Sequence, residues 1–455
     1  METTKTINPA TGEQIATYNR ISETEAKNKV AKANEVYLTW KHKSFEERAK
    51  LMHELANILE ENKEEYAQLA TKEMGKIIGQ SIGEIEKCAK ICRYYADNAT
   101  TLLANENVDT EASKSYVTFQ PIGVLLAVMP WNFPFYQVIR FAAPAIMAGN
   151  TGVLKHASNV QGCAFALEEA FEKAGFPKGI FTNLNIGSDA VKAVIENKHI
   201  KAVTLTGSEP AGRSVASIAG ENLKKTVMEL GGSDAYIILE DAAIEEATDL
   251  ATFGRLQNNG QTCIAAKRFV VLDEIYDDFL EKFTEKMKAK KMGEPMDEET
   301  FLGPMAREDL RDELHEQVEK SISQGARLVL GGNVPDGKGA YYPATILAEV
   351  EPGMEAFDNE LFGPVASVIK AKDEQHAIDL ANNSSFGLGS GVITGDNERG
   401  EKIALQLEAG NSFVNKLVVS DPRLPFGGIK NSGYGRELSS YGIREFTNTK
   451  SIWID

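Results

Sequence analysis

Through the first hundred positions apolar residues recur at helical spacing between charged ones. They trace amphipathic helices over residues 22–42, 44–73 and 79–104, after an extended amino-terminal stretch. From about residue 115 the period changes, and short apolar runs alternate with helical segments. The runs at 122–130 (IGVLLAVMP), 151–156 (TGVLKH), 201–208 (KAVTLTGS) and 225–230 (KTVMEL) predict strands, with helices at 135–150, 159–175 and 211–223 between them. After Gly231 and Gly232 the alternation restarts, with strand 235–240, helix 244–260, strand 268–273 and helix 275–291, and it continues to about residue 417. Short apolar runs separated by helices predict parallel strands with helical crossovers, hence doubly wound α/β sheets. No repeat, low-complexity stretch or flexible linker separates the halves, so they are expected to pack closely around a cleft.

Composition narrows the classes. A chain of 455 residues has room for two or three domains. The formal net charge of −17 speaks against nucleic-acid partners, and no apolar run is long enough to span a bilayer. Neither a basic n-region nor an apolar h-region opens the chain, so no secretory signal is expected. Cys88, Cys92, Cys163 and Cys263 are too few for a disulfide framework and lack CxxC spacing, which predicts no metal site and a reduced, cytoplasmic protein. Cys88 and Cys92, one turn apart, read as buried small side chains. The negative charge poses a local problem for any anionic ligand, since a few cations and backbone N–H groups must reverse the general field.

Four segments could carry chemistry. Cys263 follows the polar loop Asn-Asn-Gly-Gln-Thr at the end of a predicted helix. A lone cysteine is ordinarily an inert hydrophobe, but this setting suits a nucleophile exposed in a cleft. Glu229 ends an apolar strand ahead of Leu230 and two glycines, where doubly wound sheets bind ligands; it is either a base for the thiol or for a water, or a surface turn residue. In PWNFPF, residues 130–135, two prolines stiffen a loop directly after a strand, and Asn132 offers an amide donor for an oxyanion. In TLTGSEPAG, residues 204–212, a strand runs through Gly207 and Ser208 into a helix. That suits a pyrophosphate, although the GxGxxG fingerprint is absent and a plain turn explains the segment equally well.

Taken together, PWNFP, LTGS, ELGG, GQTC, ELFGP and PFGGIKNSGYGRE resemble the aldehyde dehydrogenase superfamily, in its order and spacing and over essentially the whole chain. The resemblance implies an aldehyde dehydrogenase-like α/β fold. A doubly wound dinucleotide-binding domain would comprise residues 1–107 and 121–229, and an α/β catalytic domain residues 230–420. Residues 108–120 and 438–455 would form protruding oligomerisation strands, and 421–437 a return segment. It further implies that Cys263 is the nucleophile, that Asn132 and the Cys263 N–H form the oxyanion hole, and that Glu229 activates the hydrolytic water. Trp131, Lys155, Ser158, Gly207, Ser208, Glu360 and Phe362 match cofactor-binding positions, with Glu360 on the nicotinamide ribose.

Two positions sharpen the expectation. Many NAD-preferring relatives carry glutamate three residues after the strand-end lysine; here Lys155 is followed by His156, Ala157 and Ser158. Losing that carboxylate favours a 2′-phosphate, so NADP is expected to be preferred and NAD accepted. His156 reads as a local structural residue. Arg140 matches an arginine that holds the distal carboxylate in succinate-semialdehyde dehydrogenases, with Arg255 and Ser420 as assistants; an arginine paired with an internal carboxylate is the alternative. The small-molecule substrate expected is succinate semialdehyde, and the assembly a homodimer or homotetramer. A general aliphatic aldehyde dehydrogenase, a CoA-acylating enzyme, a cofactor-independent thiol esterase and a non-catalytic protein on this fold are the alternatives. Glu229 argues against the second of these, and Cys263, Glu229, Asn132 and Lys155 together against the last.

Overall fold

The computed structural model describes residues 2–455. The extended start is an antiparallel hairpin, Thr3–Ile7 against Gln14–Asn19. The helices Glu23–Trp40 and Phe45–Glu61 each begin with a reciprocal capping box, Ser22 with Glu25 and Ser44 with Glu47. The stretch 44–73, expected as one helix, is two. The backbone leaves helical geometry at Asn62, whose Nδ2 donates 2.7 Å to the Ile58 carbonyl, before Lys63–Met74 resumes. Ile78–Leu102 follows.

Among the described residues the first large sheet has six strands, in the order Gly433–Tyr434, Lys225–Glu229, Ile200–Thr206, Val124–Met129, Thr151–His156 and Phe181–Asn183. All neighbours are parallel except the short edge strand Gly433–Tyr434. Chain order runs outward in both directions from Val124–Met129, so the carboxyl ends of that strand and of Ile200–Thr206 border a crevice of the kind that takes nucleotides. The second sheet has seven strands among the described residues, in the order Arg327–Leu330, Thr345–Ala348, Val365–Ala371, Ala266–Leu272, Asp234–Ile238, Gly389–Ile393 and Asn411–Val414. Its strands Asp234–Ile238, Ala266–Leu272 and Gly389–Ile393 are buried throughout, as strands covered by helices on both faces must be. The chain passes from one sheet to the other at residues 230–233.

Thr447–Ile454, Lys114–Pro121 and Glu106–Asn107 form a separate three-stranded antiparallel sheet. Its last strand starts later than expected, because Ser439–Glu445 is helical. The return segment 421–437 contributes the edge strand Gly433–Tyr434 to the first large sheet. Among the described residues no helix is long and apolar enough to cross a membrane.

Two local features prepare the site. The helix Tyr136–Met147 is buried along its entire length, which carries Arg140 into the interior. Its amino terminus is capped from another helix: Glu84 Oε1 accepts from the Phe135 and Tyr136 N–H groups at 2.8 and 2.9 Å. Glu84 Oε2 also pairs with Lys76, a lysine with no exposed side-chain surface, whose ammonium lies 3.8 Å from the Phe133 ring centroid. The PWNFPF loop is thus clamped from below.

Candidate active site

The helix expected over 244–260 stops at Leu256. Asn258, Asn259 and Gly260 then all take positive φ, at 54°, 55° and 74°. Asparagine tolerates this region better than most residues, and here each amide is held by backbone groups, locally for Asn258 and by distant segments for Asn259. Asn258 Nδ2 donates to the Asn132 carbonyl at 2.9 Å and to the Gln261 carbonyl at 3.0 Å. Asn259 Nδ2 donates to Gly75 and Pro304 carbonyls, and its Oδ1 accepts from Gly303 N–H at 2.7 Å. Gly260 is required twice over. Besides its φ, a Cβ there would collide with the Gly363 backbone, so the GQTC loop lies directly against the ELFGP loop. The result is a rigid platform that delivers Cys263.

Cys263 stands between two cavities. One, of about 300 Å³, is bordered by Trp131, Asn132, Thr206, Gly207, Ser208, Gly231, Glu360 and Phe362. The other, of about 220 Å³, is bordered by Lys87, Phe133, Tyr136, Arg140, Ile264, Ser420 and Phe426. Cys263 and Gln137 line both. Burial pushes the thiol up to about 11, although Arg140 and Lys267 pull the other way. Asn132 Nδ2 donates one hydrogen to the Gln261 carbonyl at 3.0 Å, which leaves its second for a ligand oxygen beside the sulfur.

Glu229 is buried, and neither carboxylate oxygen has a hydrogen-bond partner among the described residues. Burial, then the nearby Glu437, raises its pKa well above the ordinary glutamate value, with Arg140 opposing. Its side chain borders neither cavity; it rests against Gly427, where an added Cβ would come within 2.6 Å of Oε1.

In the larger cavity Trp131 and Phe362 meet edge to face, with ring centroids 5.8 Å apart. Glu360 Oε1 accepts from Gly232 N–H at 3.2 Å and pairs with Lys267 at 2.8 Å. Lys267 also donates to the Cys263 carbonyl at 2.7 Å, so this cation ties ELFGP to the nucleophile loop. Ser208 occupies the N-cap of Glu209–Glu221 without making a side-chain cap bond, and Thr206 Oγ1 is buried with no partner among the described residues. Lys155 and Ser158 lie outside this cavity, at the end of Thr151–His156 and at the turn that follows. The Lys155 pKa is lowered by burial and then by Arg20, and no acid offsets either effect. His156 is a strut, as expected. Its Nδ1 accepts from Ala157 N–H at 3.0 Å, Nε2 faces the Pro134 carbonyl at 2.9 Å, and burial holds its pKa at about 4.

The smaller cavity contains Arg140 and Ser420 but not Arg255. Arg255 is fully buried and lines neither cavity, donating 2.5 Å to the Gly260 carbonyl, so the assisting role expected of it is corrected to support of the loop before Cys263. Arg140 has an internal partner: its Nε lies 2.5 Å from Glu437 Oε2, while Nη2 finds no partner among the described residues.

A model of the aldehyde dehydrogenase family matches residues 1–452. The chain belongs to that family. Among curated relatives, this aldehyde dehydrogenase is 49% identical over 449 residues to a probable NADP(+) succinate-semialdehyde dehydrogenase of Synechocystis sp., covering 99% of each chain. It is 48% identical over 453 residues to the NADP(+) succinate-semialdehyde dehydrogenase of Mycobacterium avium, covering 99% of this chain and 96% of that one. Its fold superposes with a TM-score of 0.97 on the succinic semialdehyde dehydrogenase of Streptococcus pyogenes solved with NADP+, at 41% identity and 99% coverage of both chains. Gox0499, described for its cofactor and substrate selection, gives a TM-score of 0.98 at 41% identity, covering all of both chains.

For this aldehyde dehydrogenase the structure adds residues that pattern reading passed over. Lys267 sits on a strand and Lys87 on a helix, positions where a lysine reads as a solvated charge, yet both line the interior around Cys263. Glu84 and Lys76 belong to the same class of omission.

Proposed function

We propose that the protein oxidises succinate semialdehyde, or a similarly short aldehyde bearing a distal carboxylate, with NADP preferred over NAD. One observation carries the substrate reading: a buried guanidinium, Arg140, in the wall of the cavity that opens on Cys263. Arginine stays charged and binds carboxylate through parallel N–H groups, and the enclosed Nη2 has no partner among the described residues. The names of the relatives support the same substrate and cofactor.

The residues present fit an anionic dinucleotide. The open helix terminus at Ser208 and the unpartnered Thr206 Oγ1 suit its phosphates and hydroxyls. Gly207 and Ser208 would hold the pyrophosphate, Trp131, Glu360 and Phe362 the nicotinamide end, and Lys155 with Ser158 the 2′-phosphate. Bound NADP supplies the acceptor for the hydride whose departure turns a thiohemiacetal into a thioester.

The remaining chemistry falls to the chain. Cys263 Sγ gives its proton to the Glu229 carboxylate, which passes it to solvent before the hydrolytic step, and adds to the aldehyde carbon. The carbonyl electron pair moves to oxygen, where the free hydrogen of Asn132 Nδ2 and the Cys263 N–H stabilise it; one such donor is worth roughly 10²–10³ in rate. Hydrolysis of the thioester needs a water that loses a proton to Glu229 as it attacks, after which the sulfur leaves. Glu229 reaches that water by turning away from Gly427.

Arg140's pairing with Glu437 favours a second reading, a general aliphatic aldehyde dehydrogenase in which the arginine is structural. Initial rates of NADPH and NADH formation with succinate semialdehyde and with butanal distinguish the two. The first reading requires a preference for succinate semialdehyde with NADP that falls at least tenfold, the order of one charge-assisted contact, in Arg140→Ala. Equal rates on both aldehydes would leave only the second.

The assembly proposed is a homodimer or homotetramer formed through the three-stranded sheet. Its outer strand Thr447–Ile454 has one unpaired edge and carries Trp453 and Ile454 half-exposed. A reduced, cytoplasmic setting suits its free cysteines.

A further inference from the structure

The far wall of the aldehyde cavity holds more positive charge than its own acids neutralise. Lys87, on the helix Ile78–Leu102, donates 2.8 Å to Ser420 Oγ, with its ammonium 4.2 Å from the Tyr136 ring centroid. The acids that bear on Lys87 are Glu84, on its own helix, and Asp421, next to Ser420. Each is committed elsewhere. Glu84 pairs with Lys76 and caps the helix Tyr136–Met147, and Asp421 pairs with Arg423 at 2.6 Å. Glu437 answers Arg140. Two cations therefore face the cavity with one carboxylate directly paired to them, and one negative charge is wanting.

Ser420 shows where that charge belongs. A hydroxyl has one donor and two acceptor positions. Lys87 and Tyr136 Oη both donate to Ser420 Oγ, each at 2.8 Å, so its own O–H is left as a donor. An ammonium, a guanidinium and a hydroxyl with its hydrogen still to give make a cradle for a carboxylate.

We infer that Lys87 is the second cation of the substrate site: it binds the distal carboxylate of an ω-oxo acid together with Arg140 and turns the Ser420 hydroxyl toward it. The inference rests on the substrate reading above and names the residue that sets its charge selectivity. Lys87 also makes that selectivity depend on pH. Burial, then repulsion from Arg140, lowers its pKa to about 8. Of the groups facing it, Tyr136 and Cys88 are pushed far upward by burial, Arg140 is held charged by Glu437 against the cost of burial, Glu84 is salt-bridged to Lys76, and Asp421 is held down at about 2 by Arg423. Lys87 is the member of this group that changes charge between pH 7 and 9.

The test is the ratio of kcat/KM for succinate semialdehyde to that for butanal, with saturating NADP. Reactions at Cys263 are common to both aldehydes and cancel in the ratio. Lys87→Met should lower the ratio at pH 7 about tenfold, chiefly through KM for the acid aldehyde, and Lys87→Arg should restore most of it. In the unsubstituted enzyme the ratio should fall as pH rises through 8, because the ammonium is lost above its pKa; in Lys87→Met it should be flat. Should Lys87→Met fail to fold, the profile of the unsubstituted enzyme still decides. A preference present in the unsubstituted enzyme but retained in Lys87→Met, or independent of pH from 7 to 9, overturns the inference and leaves the substrate reading standing. No preference in the unsubstituted enzyme overturns both.

Discussion

Cys263 enters its cycle as a thiol, and its alkylation kinetics should show this. Burial moves its pKa from the ordinary 9.0 to about 11 in the free enzyme. Two units correspond to roughly 2.7 kcal/mol in favour of the protonated form, so at any pH below 9 the thiolate is about a hundredfold scarcer than for an unburied cysteine. The direction follows from charge: a poorly solvated thiolate is the disfavoured species, and Arg140 and Lys267 recover only part of the loss. Inactivation by iodoacetamide, followed as residual dehydrogenase activity from pH 6.5 to 10, should accelerate about tenfold per pH unit without reaching a plateau. Cys88, Cys92 and Cys163 have no exposed surface and should not compete, and Cys263→Ala, which should also abolish turnover, sets the background. A plateau at or below pH 8.5 would refute the reasoning, since it would mean that the resting site already stabilises the thiolate. The steep profile would mean that a base acts only once substrates are in place. Glu229, whose pKa burial raises well above the ordinary glutamate value, then becomes competent through rearrangement.

Two further substitutions test the supports. Ser158→Glu places a carboxylate near Lys155 and should shift the NADP/NAD ratio of kcat/KM toward NAD by at least tenfold; an unchanged ratio removes Ser158 from cofactor choice. Glu84→Gln strands the buried Lys76 charge, a loss on the order of 3–5 kcal/mol, and should lower the midpoint of thermal inactivation by several degrees. Lys76→Met added to it should recover much of the loss, whereas a midpoint unmoved by Glu84→Gln would mean that the pair does not hold the PWNFPF loop.

The alternation of apolar runs and helices was legible because parallel strands covered on both faces have no polar side to blur the pattern, as in Val124–Met129 and Asp234–Ile238. Less legible were features decided by single hydrogen bonds. Nothing in the periodicity of 44–73 marks Asn62 as a break, and the turn at 257–260 reads as helix until the positive φ of Asn258 and Asn259 is seen. The residues grouped around Cys263 stood out because their motifs are distinctive. Lys87, Lys267 and the Lys76–Glu84 pair did not, because a charged residue at helical or strand spacing looks alike whether it meets water or the interior. Arg255 misled for the converse reason. Eight residues from Cys263 in sequence, it is fully buried, lines neither cavity and bonds the loop backbone instead.

The two linings that share Cys263 and Gln137 have a kinetic corollary. On the proposed assignment each reactant has a compartment of its own, so filling one leaves room in the other, and steric exclusion imposes no order of entry. A dead-end acid such as succinate, lodged beside Arg140, should compete with the aldehyde yet be non-competitive toward the dinucleotide. The sulfur is then a shared threshold: whichever reactant arrives first, the reacting carbon is presented to the second from the opposite side.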